Sequence, residues 1–256
     1  MKKNVAASAC NKASSPLTVV RTSLRAGSLE THIDQIEEIY LQIDRQTTYF
    51  SAATGIRCRD GCGICCRSEK VEASVLEMLP LARALFRSGQ INDWAQLIFD
   101  EDPGRLCRLF RPDPQTADLG RCRFYPFRPL LCRLFGFAAG VDKRGRPVYS
   151  ACRVVTTIDP ETSSQAAFAV SEGLPVPLFS EFHLRAAMVQ PELGNPPVPI
   201  NQALQQAVQC YGLALEMARA SSAESVRPSA DSCVDPICGD DSFDDPHGSI
   251  PPRLAA

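Results

Sequence analysis

Cys58-Arg-Asp-Gly-Cys62-Gly-Ile-Cys65-Cys66 and, further on, Gly120-Arg-Cys122-Arg-Phe-Tyr-Pro-Phe-Arg128-Pro129-Leu-Leu-Cys132-Arg133 decide how this chain is read. Four thiols so close in sequence can meet at one ion with little loop-closure cost. Gly61 and Gly63 predict tight, left-handed turns, and such turns aim backbone N–H groups at sulfur. The competing reading is a set of small buried side chains, since free cysteine is often buried, but the density of thiols favours ligands. Cys65 and Cys66 are adjacent, and neighbouring side chains usually diverge. Either the pair serves two metals, or one is a ligand and the other packs.

The second run is Cys107, Cys122, Cys132 and Cys152. Arg128 precedes a proline and is pushed to extended geometry, and Pro129 suits the first position of a helix. Cys132 is therefore expected in a first helical turn, where the helix dipole and free N–H groups lower a thiol pKa. Arginines flank the cysteines throughout. A metal held by thiolates carries excess negative charge, and neighbouring cations tune and orient such a site. Read singly, most of these arginines are solvated surface, and Arg128 and Arg133, bracketing Cys132, are the exceptions. The best ligand candidates are Cys62, Cys65, Cys122 and Cys132, followed by Cys58, Cys66, Cys107 and Cys152.

Composition supports this reading. The 256-residue chain has 12 cysteines. Its start, MKKNVAASACNKASS, lacks the apolar run of a secretory signal, and no stretch reaches the ~20 apolar residues of a membrane span. The expectation is a cytoplasmic protein that does not contact a membrane. Thiols there stay reduced, so metal binding explains their number better than disulfides do. The net charge of −2 is uneven. Residues 57–153 hold 17 Lys and Arg against 11 Asp and Glu, a net of +6, so the remainder nets −8. The whole-chain balance gives no strong pull towards nucleic acid. Only three histidines are present, His32, His183 and His247. A donor set of sulfur with little imidazole points to zinc or an iron–sulfur cluster.

Outward from the cysteines the pattern is helical. Ile33, Ile36, Tyr40, Ile43 and Thr47 recur at three and four, predicting a helix over 28–50, with Ser28 near its start. A second helix is predicted over 72–88, with Val75, Leu79, Ala82 and Phe86 on one side and Pro80 a candidate kink. Others follow at 91–99, 161–172, 178–190 and 200–221, the last with Ile200, Leu204, Val208, Tyr211, Leu215 and Met217 as its apolar face. Residues 102–153 read as loop, with one short strand at Pro147-Val-Tyr-Ser. The fold class is mainly α, an irregular cysteine-rich core centred on metal with flanking helices. Residues 1–27 read as a flexible arm, 28–190 as the metal-binding domain, 191–221 as linker and C-terminal helix, and 222–256 as a disordered acidic tail. Cys10, Cys210, Cys233 and Cys238 are assigned no metal.

These residues resemble the YkgJ-type cysteine-cluster family, named for a CxxCxxCC run and described as a zinc- or iron-chelating domain. The resemblance covers roughly Cys58 to Cys152. It rests on Cys58, Cys62, Cys65 and Cys66, then Cys107, Gly120-Arg121-Cys122 with Tyr125, Arg128-Pro129, Cys132-Arg133 and Cys152. One departure is the three-residue gap between Cys58 and Cys62, where the family name has two. The resemblance implies a metal ion as partner and no particular reaction. Eight cysteines fit two four-thiolate zinc sites or one cubane with spare thiols, in a structural or metal-handling role. The alternative is an iron–sulfur-dependent redox or protein-modifying enzyme, similar to flagellin lysine N-methylase in its cysteine run. Cys58-x₃-Cys62-x₂-Cys65 also has the spacing of a radical S-adenosylmethionine loop, but the strand pattern of that fold is missing. A third reading makes Cys65–Cys66 a redox-sensing disulfide.

Overall fold

The computed structural model describes residues 26–100, 106–116 and 119–224. The expected tail from residue 225 and all but the end of the expected arm lie outside the described residues, and with them Cys10, Cys233, Cys238 and His247. The described residues form nine α-helices and three two-stranded antiparallel sheets.

Helix α1, Ala26–Thr54, buries Ile33, Ile36, Tyr40 and Ile43 on the predicted face. It starts before Ser28, and the stripe ends on fully buried Phe50 rather than on half-buried Thr47. Helix α2, Val75–Arg87, begins with a reciprocal cap. The Ser74 hydroxyl accepts from the Glu77 N–H at 3.3 Å, and the Glu77 carboxylate accepts from the Ser74 N–H at 3.0 Å, which satisfies two otherwise orphaned donors. Pro80 sits inside α2 without ending it.

The predicted one-sided face of α2 understates its burial. Leu76, Met78, Leu79, Leu81, Ala82 and Leu85 are all buried, because α1 packs on one flank and α9, Ile200–Glu224, on another. Arg83 ties α1 to α2 through Asp34 and Glu37, each at 2.6 Å, and Glu30 at 3.1 Å. Along α9, Ile200, Leu204, Val208 and Tyr211 are buried as predicted, but Met217 faces solvent.

Between these come α3, Ile91–Ile98; α4, Leu130–Leu134; α5, Arg153–Ile158; α6, Pro160–Ser171; α7, Phe179–Val189; and the single turn α8, Pro191–Gly194. Segment 191–199 does more than link. Strand β6, Val198–Pro199, pairs with β1, Glu72–Ala73, and the Ile200 N–H donates to the Val71 carbonyl at 3.0 Å. A proline-rich run reads as linker, yet proline is compatible with a two-residue edge strand.

The stretch expected to be loop holds two hairpins. Strand β2, Phe110–Pro112, pairs with β3, Gly120–Cys122, and β4, Ala139–Val141, pairs with β5, Pro147–Tyr149. Only β5 was legible as a strand, since three residues carry too little alternation to be seen. No described helix is long and apolar enough to cross a membrane. Leu79 is fully buried at the meeting of α1, α2 and α9. Leu79→Ala should cost about 2–5 kcal/mol in denaturant unfolding and leave metal content unchanged in the folded fraction.

Candidate metal centre

Backbone hydrogen bonds bring the two cysteine runs together. The Gly120 N–H donates to the Gly61 carbonyl at 2.7 Å, and Cys62 bridges to Leu119. The Cys107 N–H donates to the Cys66 carbonyl at 3.1 Å. In the β2–β3 ladder Phe110 stands opposite Cys122. Two glycines make this approach possible. A Cβ at Gly63 or at Gly120 would fall inside the Phe110 ring. Gly61 has the predicted left-handed φ of 70°, but Gly63 does not; its glycine is required by the closeness of Phe110.

The result is one cavity of about 440 Å³ lined by Cys58, Cys62, Cys65, Cys66, Cys107, Cys122, Cys132 and Cys152. Every cysteine between Arg57 and Arg153 faces it, and no histidine does. Cys58 is exposed, Cys107 is buried, and the other six lie between. Cys210 is buried elsewhere, on α9. A larger cavity, of about 920 Å³, lies among α1, β5 and α6 and contains neither cysteine nor histidine, so the chemistry is sought in the smaller one.

Among the described residues, no three His, Cys, Asp or Glu side chains converge closely enough to hold an ion as they stand. The thiols line the walls instead, close enough to act on one another. Burial, then the Cys62, Cys65 and Cys152 thiols, push Cys58 up to about 11. Burial also pushes Cys107 up to about 11, against N–H groups of Leu109 and Phe110 aimed at its sulfur. Cys122 is raised by burial, with the Phe124 N–H and Arg128 opposing. The Cys66 thiol donates to the Cys65 sulfur, which lowers Cys65 and raises Cys66. Adjacent thiols were expected to diverge, but the tight 3₁₀ turn over Cys65–Arg67 sends both into the cavity.

Cys132 corrects the sequence reading. It does sit in a first helical turn, but Pro129 is the N-cap and not the first helical residue. Its thiol is raised rather than lowered. Burial comes first, then Cys65, Cys107 and Cys122, and together these outweigh Arg128 and the small dipole of a five-residue helix.

Two residues that sequence reading left without a role, or with only a vague one, hold α4 in place. The buried Glu77 carboxylate accepts from the Leu130 N–H at 2.8 Å, at the start of the helix that carries Cys132. Its only sequence signal was the Ser-x-x-Glu cap. Arg133, 6% exposed, pairs with Asp44 at 2.6 Å and donates from Nε to the Arg128 carbonyl at 2.7 Å and from Nη2 to the Pro126 carbonyl. It also lies over the Tyr40 ring, 4.3 Å from its centroid. Arg128 donates to the Cys132 carbonyl at 3.1 Å and packs 3.5 Å from the Tyr125 ring centroid. His32 and His183 are half-buried on α1 and α7, away from the cavity.

Comparison with known families fits this geometry. Residues 57–154 match the CxxCxxCC family. Its domain is described as a "putative zinc- or iron-chelating domain". The match spans every thiol of the cavity. No curated protein and no solved structure matches the chain.

Arg133→Met keeps the side chain's apolar contact with Tyr40 but leaves Asp44 and two carbonyls without their donor. Asp44 is about half exposed, so the loss should fall below the ~3–5 kcal/mol of a fully buried pair, at about 2 kcal/mol. Thermal melting would measure it, and hydrogen exchange should show the loss of protection concentrated over residues 124–137.

Proposed function

We propose that the domain binds zinc or an iron–sulfur cluster through cysteine thiolates, in a structural or metal-handling role. The observation that carries this is the gathering of eight cysteines, from Cys58 to Cys152, around one cavity without histidine. Sulfur-only donor sets suit zinc and iron–sulfur centres. The donor chemistry fits the metal, and contraction of the cavity walls would bring sulfurs to bonding distance.

Cys65, Cys107 and Cys122 all act on Cys132. All line the cavity, and we propose these four as the primary ligand set, where the sequence reading had ranked Cys62 ahead of Cys107. Cys58, exposed, lies near Cys62 and Cys152, Cys66 lies with the inner four, and Cys65 acts on both Cys58 and Cys132. A metal held by the inner four would tie β2–β3, the 65–67 turn and α4 together, so that binding energy becomes folding energy. The outer thiols, with Cys58 exposed at the mouth, suit capture and exchange of the ion. The iron–sulfur enzyme reading is weaker. The described strands are three separate antiparallel pairs, and no described sheet resembles the parallel array that radical chemistry on this loop spacing needs.

Metal and acid-labile sulfide content of protein purified without air tests the reading directly. Zinc without sulfide gives the first form, iron with sulfide the second, and absence of both from folded protein would refute it. Cys132→Ser should weaken metal binding about tenfold or more and lower the melting temperature. Cys58→Ser should leave equilibrium content near wild type while slowing transfer to a chelator.

Protonation gives a further expectation. Cys58, Cys107, Cys122 and Cys132 are all raised, so these four thiols are protonated at neutral pH without metal and must lose protons to bind, whereas Cys65 is lowered. Metal uptake should therefore release protons, and affinity should rise from about pH 6 to about pH 8 and fall in acid. A zinc titration in weakly buffered solution reads both.

A further inference from the structure

The thiol cavity has a cationic wall. Arg57, Arg59, Arg121, Arg128 and Arg153 line it, against one carboxylate, Asp60. They come from the loop after α1, strand β3, the β3–α4 connection and the start of α5. Seven arginines elsewhere, Arg45, Arg83, Arg87, Arg133, Arg146, Arg185 and Arg219, each have a carboxylate within 3.9 Å. Among the described residues, none of the five cavity arginines has such a partner.

Arg128 is the most firmly held of them. Its Nε and Nη1 donate to the Tyr125 and Cys132 carbonyls at 3.2 and 3.1 Å, and Nη2 has no protein acceptor among the described residues. A zinc ion on four thiolates carries a charge of about 2−. With Asp60 added, the five guanidinium groups remain in excess of a single such centre. The volume of about 440 Å³ also lies in the range of small-molecule pockets, about 300–1,000 Å³.

We propose that this cavity binds a small oxyanion, a phosphate or carboxylate group, through Arg57, Arg121, Arg128 and Arg153, beside the thiols. Guanidinium forks match paired oxygens of either group. The buried Ile56 and Leu109 in the same wall lower the local dielectric and strengthen the attraction. The inference goes beyond the metal-binding reading and rests on its single-centre form, since a second four-thiolate centre would take up the excess positive charge.

Equilibrium dialysis of inorganic phosphate against the full chain as purified, at fixed ionic strength, tests it, with metal content measured on the same samples. Saturable binding is expected, weakened about tenfold or more in the double variant Arg57→Ala/Arg153→Ala, with metal content and melting temperature unchanged. Arg144→Ala, an exposed hairpin arginine outside the cavity, should bind as wild type. No saturable binding overturns the proposal. So does equal binding by the double variant, which would make phosphate a metal ligand or an adventitious ion only. Loss of metal together with phosphate also overturns it, because the arginines would then be counter-ions of the thiolates and nothing more. Phosphate binding by protein without metal would uphold this site and refute the metal reading.

Discussion

The buried guanidinium of Arg133 is the contact on which the rest of the site depends. A charge this deep is tolerated only when its donors are all used. Asp44 takes one end, the Arg128 and Pro126 carbonyls take the others, and the Tyr40 ring covers the face. Tyr40 in turn donates to the Glu77 carbonyl at 2.7 Å, and the Glu77 side chain accepts from Leu130. A closed polar circuit thus joins α1, α2 and α4. Together with the buried Leu130 and Leu134, it places the short helix that carries Cys132.

That arrangement suits a site whose ligands come from distant parts of the chain. Thiols on flexible loops lose much entropy when an ion gathers them. Here the loops are already paired, Gly61 to Gly120 and Cys66 to Cys107, and only the last approach of the sulfurs remains. The raised thiols show the same state from the other side. Without metal, a cavity of neighbouring half-buried sulfurs favours the neutral form, and N–H groups aimed at Cys107 and Cys122 stand ready for the thiolate. The match to a metal-chelating family over residues 57–154 and the local chemistry point the same way.

Much of the fold was legible because it is periodic. A stripe at three and four residues survives from sequence into the buried faces of α1 and α9, whereas the cap that starts α2 at Ser74 went unread. What escaped was short or non-local. Strands β1 and β6 have two residues each and exist only because they find each other across the chain. Gly63 was legible as a glycine in a cysteine loop, but the ring that requires it belongs to Phe110. The direction of the Cys132 shift was misjudged because a helix terminus is visible in sequence, whereas burial and three neighbouring thiols are not.

By itself the sequence determined the donor chemistry, sulfur in dense supply with almost no imidazole, and the helical faces that bury the core, since both are properties of residue type and local spacing. Only the tertiary structure decided that all eight thiols share one cavity, that Glu77 and Arg133 hold α4 beside it, and that five arginines line it without carboxylate partners among the described residues. Those are facts of proximity between residues tens of positions apart, and proximity of that kind is set by packing of the whole domain.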